Sequence, residues 1–259
     1  MAIPPTINYE KKGKVAYITF NRPEAMNALS PEMMDGFYEA FDNFNDDPDL
    51  LVAILTGAGD KAFCAGADLG TTIPSIAKKA REGEWQGDPE KRFLSHIYKP
   101  IIAAVNGYCV AGGMEILLGT DIRIAADHAK LGLGEVRWGV IPAGGSHVRL
   151  PRQIPWCMAM EILLTGRLID AQQAYNFGLV NRVVPMRELM STAEHFAKVI
   201  ASNAPVAVQT AKEIAVRAKA LEPGFQIEQA LAPSVYATED AIEGPKAFME
   251  KRKPVYKGK

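Results

Sequence analysis

The chain has few cysteines, few histidines and no long apolar run, and each scarcity excludes something. Its 259 residues include three cysteines, Cys64, Cys109 and Cys157. Three is odd and no CxxC spacing occurs, so they read as reduced thiols in a cytosolic protein, not a disulfide framework. The four histidines, His96, His128, His147 and His195, have no ligand spacing, so no metal site is expected. Charges interrupt every long apolar stretch, and no membrane span is expected. Met1 to Pro5 has no basic start leading into an apolar run, so no signal peptide is expected either. Net charge is −1, which gives no electrostatic case for nucleic acid. Several motifs are also missing: the phosphate-loop pattern Gly-x-x-x-x-Gly-Lys-Ser/Thr, a Gly-x-Gly-x-x-Gly after a strand, and a Gly-x-Ser-x-Gly elbow. Ser146 and His147 are adjacent in sequence and so do not suggest a hydrolytic pair.

What is present is a large apolar fraction, 48%, enough for a sizeable core. Val15–Phe20, Leu50–Leu55, Ile101–Val105 and Ile122–Ala125 read as strands. Between the first two a helix is expected, with Ser30 as cap, Pro31 in the first turn, and Met33, Met34, Phe37, Phe41 and Phe44 as its apolar face. Strands alternating with helices imply α/β layers. Thr71 to Lys91 reads as a mobile surface segment, partly helical, with a lone Trp85. Helices are expected over Glu188–Ser202, Val206–Leu221, Phe225–Ala237 and Ala241–Arg252, divided by Pro205 and Pro223-Gly224. The chain thus divides into an α/β core, 1–187, and a helical region, 188–259.

Three glycine-rich bends follow strands. The first is Phe63-Cys64-Ala65-Gly66-Ala67-Asp68-Leu69, which on its own reads as a strand-to-helix turn capped by Asp68. Gly107 to Glu115 places Gly112 near a helix N-terminus, where its N–H can meet an oxyanion or simply allow close packing. Glu115 is then in the first helical turn, where an isolated glutamate would complement the dipole. Glu135 stands among Gly132, Gly134, Gly139, Gly144 and Gly145 in an apolar stretch. It is either a carboxyl whose pKa burial pushes upward, suited to proton donation, or a partner for Arg137 or Arg149. Two carboxyls in one pocket can hold a water between a base and an acid. Near the C-terminus, Lys246, Lys251, Arg252 and Lys253 form a basic cluster, either a solvated helix face or a contact for a polyphosphate.

Taken in order, these segments resemble the enoyl-CoA hydratase (crotonase) family. The resemblance begins at Asn21-Arg22-Pro23-Glu24-Ala25-Met26-Asn27-Ala28-Leu29. It runs through Ala62 to Leu69, Lys99 to Gly107, Leu163 to Gly166 and Ala174 to Val180, and ends at Glu243 to Arg252. It implies an α/β fold: a crotonase-like spiral of ββα units with a C-terminal helical trimerisation region, in a homotrimer or a hexamer built as a dimer of trimers. It implies an acyl-CoA substrate whose thioester oxygen meets the N–H groups of Ala67 and Gly112. It makes Glu115 and Glu135 the catalytic pair, as in members that hydrate. Ala25, Met26, Ala65, Asp68, Leu69, Phe248 and Lys251 would contact substrate or CoA. On one helix face, Phe248 and Lys251 would reach the CoA of a neighbouring protomer. No resident cofactor is expected, since CoA enters with the substrate. The alternatives are a dehydratase of the carnitinyl-CoA type, an isomerase, or a catalytically silent acyl-CoA-binding or RNA-binding relative. Three features depart from hydratases of fatty-acid oxidation: Ala111 where a third glycine is common, Gly144-Gly145-Ser146-His147, and Thr71 to Lys91. All three bear on the acyl group.

Overall fold

The computed structural model describes residues 3–68, 70, 72–85 and 93–258. The chain opens with the antiparallel pair β1 (Ile7–Lys12) and β2 (Val15–Phe20), turned at Gly13 with φ +58°. The helix α1 (Pro31–Asp46) starts as its sequence signals require. The Ser30 hydroxyl accepts from the Met33 N–H at 3.2 Å, and Met33, Phe37, Phe41 and Phe44 are buried. Three strand pairs follow, each having one long strand and one short: β3 (Val52–Gly57) with β4 (Ala62–Cys64), then, after α2 (Thr72–Arg81), β5 (Ile101–Val105) with β6 (Tyr108–Val110), then, after α3 (Gly112–Leu117), β7 (Ile122–Ala126) with β8 (Lys130–Gly132). After α4 (Ser146–Gln153) and α5 (Trp156–Thr165) come β9 (Leu168–Asp170), α6 (Ala171–Asn176) and β10 (Arg182–Val184). Four helices end the chain: α7 (Leu189–Ala201), α8 (Pro205–Arg217), α9 (Glu222–Tyr236) and α10 (Asp240–Met249).

The long strands build one sheet in the order β1-β2-β3-β5-β7-β10, and the short ones a second in the order β4-β6-β8-β9. Within the ββα units the pairings β3·β5·β7 and β4·β6·β8 are all parallel, so each unit stacks on the last as a turn of a spiral. The central strands β3, β5 and β7 are covered on both faces, which is why they are buried along almost their whole length and do not alternate. Ala53, Leu55, Ala103 and Val105 pack toward α1. Val52, Ile54, Ile102 and Ala104 pack toward Leu189, Ala193 and Ala197 of α7.

Two expectations need correction. Thr71 to Lys91 is partly helical as expected where it is described, with Pro74, Ser75, Lys78, Lys79 and Arg81 exposed, but it is not wholly a surface segment. Ile73 and Ala77 of α2 are buried, and α2 packs on α9 and α10; residues 71 and 86–92 lie outside the described residues. The last helix stops at Met249, so Lys251 does not share a helix face with Phe248. It stands in a left-handed turn at φ +54°. Among the described residues, no helix is long and apolar enough to cross a membrane.

Candidate active site

The three bends meet because buried amides tie them together. Asn27 is fully buried, and its Nδ2 donates to the carbonyls of Ala58 at 3.1 Å and Ala62 at 2.7 Å. Its loop then docks on the first bend. The Ala65 N–H donates to Met26 O at 3.1 Å, and the Leu29 N–H to Gly66 O at 2.8 Å. Asn106 holds the other side, donating to the carbonyls of Gly57, Gly59 and Ala62. Gly66, at φ +87°, lies so close to the second bend that a Cβ there would sit 2.6 Å from the Ala111 Cβ and 2.9 Å from the Gly112 nitrogen. Gly113 is equally forced, since a Cβ would come within 2.8 Å of the Cys64 Cβ. Ala111 itself takes φ +50° and ψ −127°, a conformation L residues rarely adopt, directly before α3.

This packing brings Ala67 and Gly112 side by side. A Cβ on Gly112 would lie 3.5 Å from the Ala67 nitrogen. No backbone acceptor among the described residues takes either N–H. Both residues line a cavity of about 820 Å³. Met26, Ala65, Glu115, Glu135 and Phe248 line it too. Ala25 and Asp68 flank the cavity without lining it. The Asp68 side chain accepts from the Gly70 N–H at 2.9 Å and its carbonyl from Thr72 at 2.8 Å, as a turn-capping residue would. Leu69 lies outside the described residues. Lys251 is exposed and not part of the lining. Arg252 is engaged by Glu243, at 2.5 and 2.8 Å, and by Glu250 at 2.6 Å. Phe248 lines its own chain's cavity, its ring 5.0 Å from that of Trp138.

Both glutamates are buried. Glu115 accepts from the Gly144 N–H at 2.7 Å. Burial and the nearby Glu228 carboxylate push its pKa up to about 7, while the Gly144 N–H and His147 pull the other way. Glu135 starts a 3₁₀ turn, Glu135–Trp138. Its Oε2 is buried without a hydrogen-bond partner. Burial first, and the Glu115 charge second, raise its pKa well above the usual carboxylate range. The ion-pair alternative for Glu135 is not what forms. Arg149 instead donates to the carbonyls of Gly144 at 3.3 Å and Phe93 at 2.9 Å, and the Arg137 side chain lies against Gly166.

A family model described as enoyl-CoA hydratase/isomerase matches residues 10–259. The chain belongs to this family. It is 43% identical to the (E)-benzylidenesuccinyl-CoA hydratase of Thauera aromatica, covering 97% of this chain and 99% of that one. It is 41% identical to an enoyl-CoA hydratase of Mycobacterium tuberculosis, over 98% and 97%. A carnitinyl-CoA dehydratase structure from Mycobacterium avium superposes with TM-score 0.86 at 38% identity, over 99% and 100%.

Against the enoyl-CoA hydratase/isomerase family pattern, sequence reasoning missed one wall of the cavity. Beyond the glutamates stand Ile73 and Trp85 after the first bend, Phe93, and Gln229 and Tyr236 of α9. Their polar atoms are engaged by one another or by backbone carbonyls. The Trp85 indole donates to Gln229 at 3.2 Å, Gln229 to Ala143 O at 3.0 Å, and the Tyr236 hydroxyl to Ile141 O at 2.7 Å. The surface they present is therefore aromatic and aliphatic. Trp85 was visible as an isolated aromatic among charges. Nothing local marked Gln229 or Tyr236, which read as ordinary positions of an amphipathic helix.

Proposed function

We propose that the chain is an enoyl-CoA hydratase, adding water reversibly across the double bond of a 2-enoyl-CoA to give a 3-hydroxyacyl-CoA. One observation carries the reading: two buried carboxyls line one cavity beside two backbone N–H groups that no backbone acceptor takes among the described residues. In the proposed reaction the thioester oxygen lies between the Ala67 and Gly112 N–H groups, which stabilise the enolate-like charge. Glu115, whose carboxylate accepts the Gly144 N–H, is assigned as the ionised base. It takes a proton from water as the oxygen bonds to the β carbon. Glu135, which keeps its proton, gives it to the α carbon. The substrate gains one water, and the proton moved from Glu135 to Glu115 returns by exchange with solvent. Met26, Ala65 and Phe248, which line the same cavity, would hold the CoA portion. No resident cofactor enters this scheme. A trimer or hexamer in the cytoplasm is part of the same proposal.

The aromatic and aliphatic wall supports an apolar acyl group. Ring faces also attract a quaternary ammonium, so an acyl chain of the carnitinyl type is the second reading. Incubating the enzyme in H₂¹⁸O with crotonyl-CoA, cinnamoyl-CoA or a 2-enoyl-CoA ending in trimethylammonium, followed by mass spectrometry, separates these. Hydration adds one labelled water to the apolar substrates. An isomerase would leave the mass unchanged, and preference for the cationic substrate would reverse the assignment of the acyl group.

A further inference from the structure

A third carboxyl is buried beside the pair and has no part in the scheme above. Glu228 of α9 has a side chain only 2% exposed. A buried carboxylate is costly unless both oxygens are engaged. Here Oε2 accepts from the Gly145 N–H at 2.8 Å, and Oε1 lies 3.1 Å from His147 Nδ1. The residue before, Gly144, gives its N–H to Glu115 Oε1 at 2.7 Å. Two successive amides of one bend are thus held by two different carboxylates, from α3 and from α9. The bend has no freedom to spare. Gly145 takes φ +100°, and a Cβ on Gly144 would sit 2.9 Å from Glu115 Oε2 and collide with the Phe93 ring. Any shift of Gly145 is therefore passed to the Glu115 carboxyl through one peptide unit.

We propose that Glu228 and His147 are positioning residues which clamp the Gly144–Gly145 bend and thereby fix the orientation and charge of the Glu115 carboxyl; this rests on Glu115 being the base. A purely structural need would be met by a neutral amide, which can accept from Gly145 without placing a negative charge near Glu115. The titratable groups facing Glu115 are Glu228 and Tyr236 from α9, His147 from α4 and Glu135 from the 3₁₀ turn. Arg149 of α4 closes the same bend through the Gly144 carbonyl. The Glu228 charge disfavours the ionised form of Glu115, and a protonated His147 favours it. The two members of the clamp act in opposite senses.

The test compares Glu228→Gln, Glu228→Ala and His147→Gln with the parent, by kcat, KM and the pH profile of kcat/KM. In Glu228→Gln, which keeps an acceptor for Gly145, the acidic limb is expected to move to lower pH. In His147→Gln it is expected to move to higher pH. Glu228→Ala, which frees the bend, is expected to lower kcat about 10- to 100-fold with little change in KM, the mark of lost alignment. ¹³C NMR of the glutamate carboxyls follows the same shifts without turnover, with Glu115→Gln identifying the resonance. Unmoved limbs and an unmoved Glu115 titration in both charge variants would overturn the clamp. A parent that titrates as described yet hydrates nothing would instead overturn the hydratase reading.

Discussion

At Glu115 and Glu135 the same cause, burial, raises both carboxyls, and their interaction with each other sets the expected pH behaviour. The proposed reaction needs Glu115 ionised and Glu135 protonated. The rate should therefore rise as pH climbs through about 7, where Glu115 loses its proton, and fall at higher pH as Glu135 does. The apparent limbs belong to the pair, since the two interact. A bell-shaped kcat/KM profile checks this; a profile flat through neutrality would contradict it. Stability should run against activity. A carboxyl whose folded pKa lies above its unfolded value favours the fold only while protonated in both states, and that contribution is lost as pH rises toward the folded value. Glu135→Gln removes the penalty. Its advantage in unfolding free energy should grow by up to about 1.4 kcal/mol per pH unit above roughly pH 4.5, until Glu135 itself ionises. Urea unfolding of both proteins at pH 5, 6 and 7 reads this directly, and a difference independent of pH would contradict it.

At the scale of elements, the bends set the chemistry and their placement is what pairing and packing decide. Ala67→Pro removes one N–H from the proposed oxyanion site and should lower kcat roughly 100- to 1,000-fold, while Ala67→Gly, which keeps it, should be mild. Circular dichroism confirms folding, and a folded proline variant of parental kcat would remove Ala67 from the mechanism. The wall formed by Ile73, Trp85, Phe93, Gln229 and Tyr236 is expected to set acyl size. Trp85→Ala should lower kcat/KM for crotonyl-CoA by about 10-fold and shift preference toward longer acyl groups, measured over a chain-length series. How far these elements can be read from sequence depends on how local their causes are. The α1 start at Ser30-Pro31, the strand at Ile101–Val105 and the helix breaks at Pro205 and Pro223 follow from neighbours in sequence. The glutamate pair and the bends were legible because glycines clustered around them. Gln229 and Tyr236 of the cavity wall, and Glu228 beside it, were not, because α9 docks more than 80 residues away in sequence from Gly145 and His147. The helix face expected to carry both Phe248 and Lys251 does not form for a local reason: the helix ends two residues before Lys251.

At the scale of the whole molecule, the spiral explains why residues from 26 to 248 meet in one cavity. Each ββα unit delivers one bend to the same end of the stack, and the terminal helices close over it. Several large apolar side chains remain exposed on α5, α8 and α9, among them Trp156 at 67%, Leu164 at 73% and Val206 at 77%. Faces of this kind suit burial between copies. Light scattering coupled to gel filtration should give a mass about three or six times the 28.2 kDa of the chain, and a monomer would contradict the proposed assembly. The central claim, that Glu115 and Glu135 work as one unit on one water, is tested most directly by the loss of enoyl-thioester absorbance when crotonyl-CoA meets the parent, Glu115→Gln, Glu135→Gln and the double variant. Each single change should lower kcat on the order of 10²–10⁴-fold, and the double variant little further, because removing either proton-transfer partner already disables the pair. A Glu135→Gln enzyme that hydrates at the parental rate, or losses that simply multiply in the double variant, would contradict it.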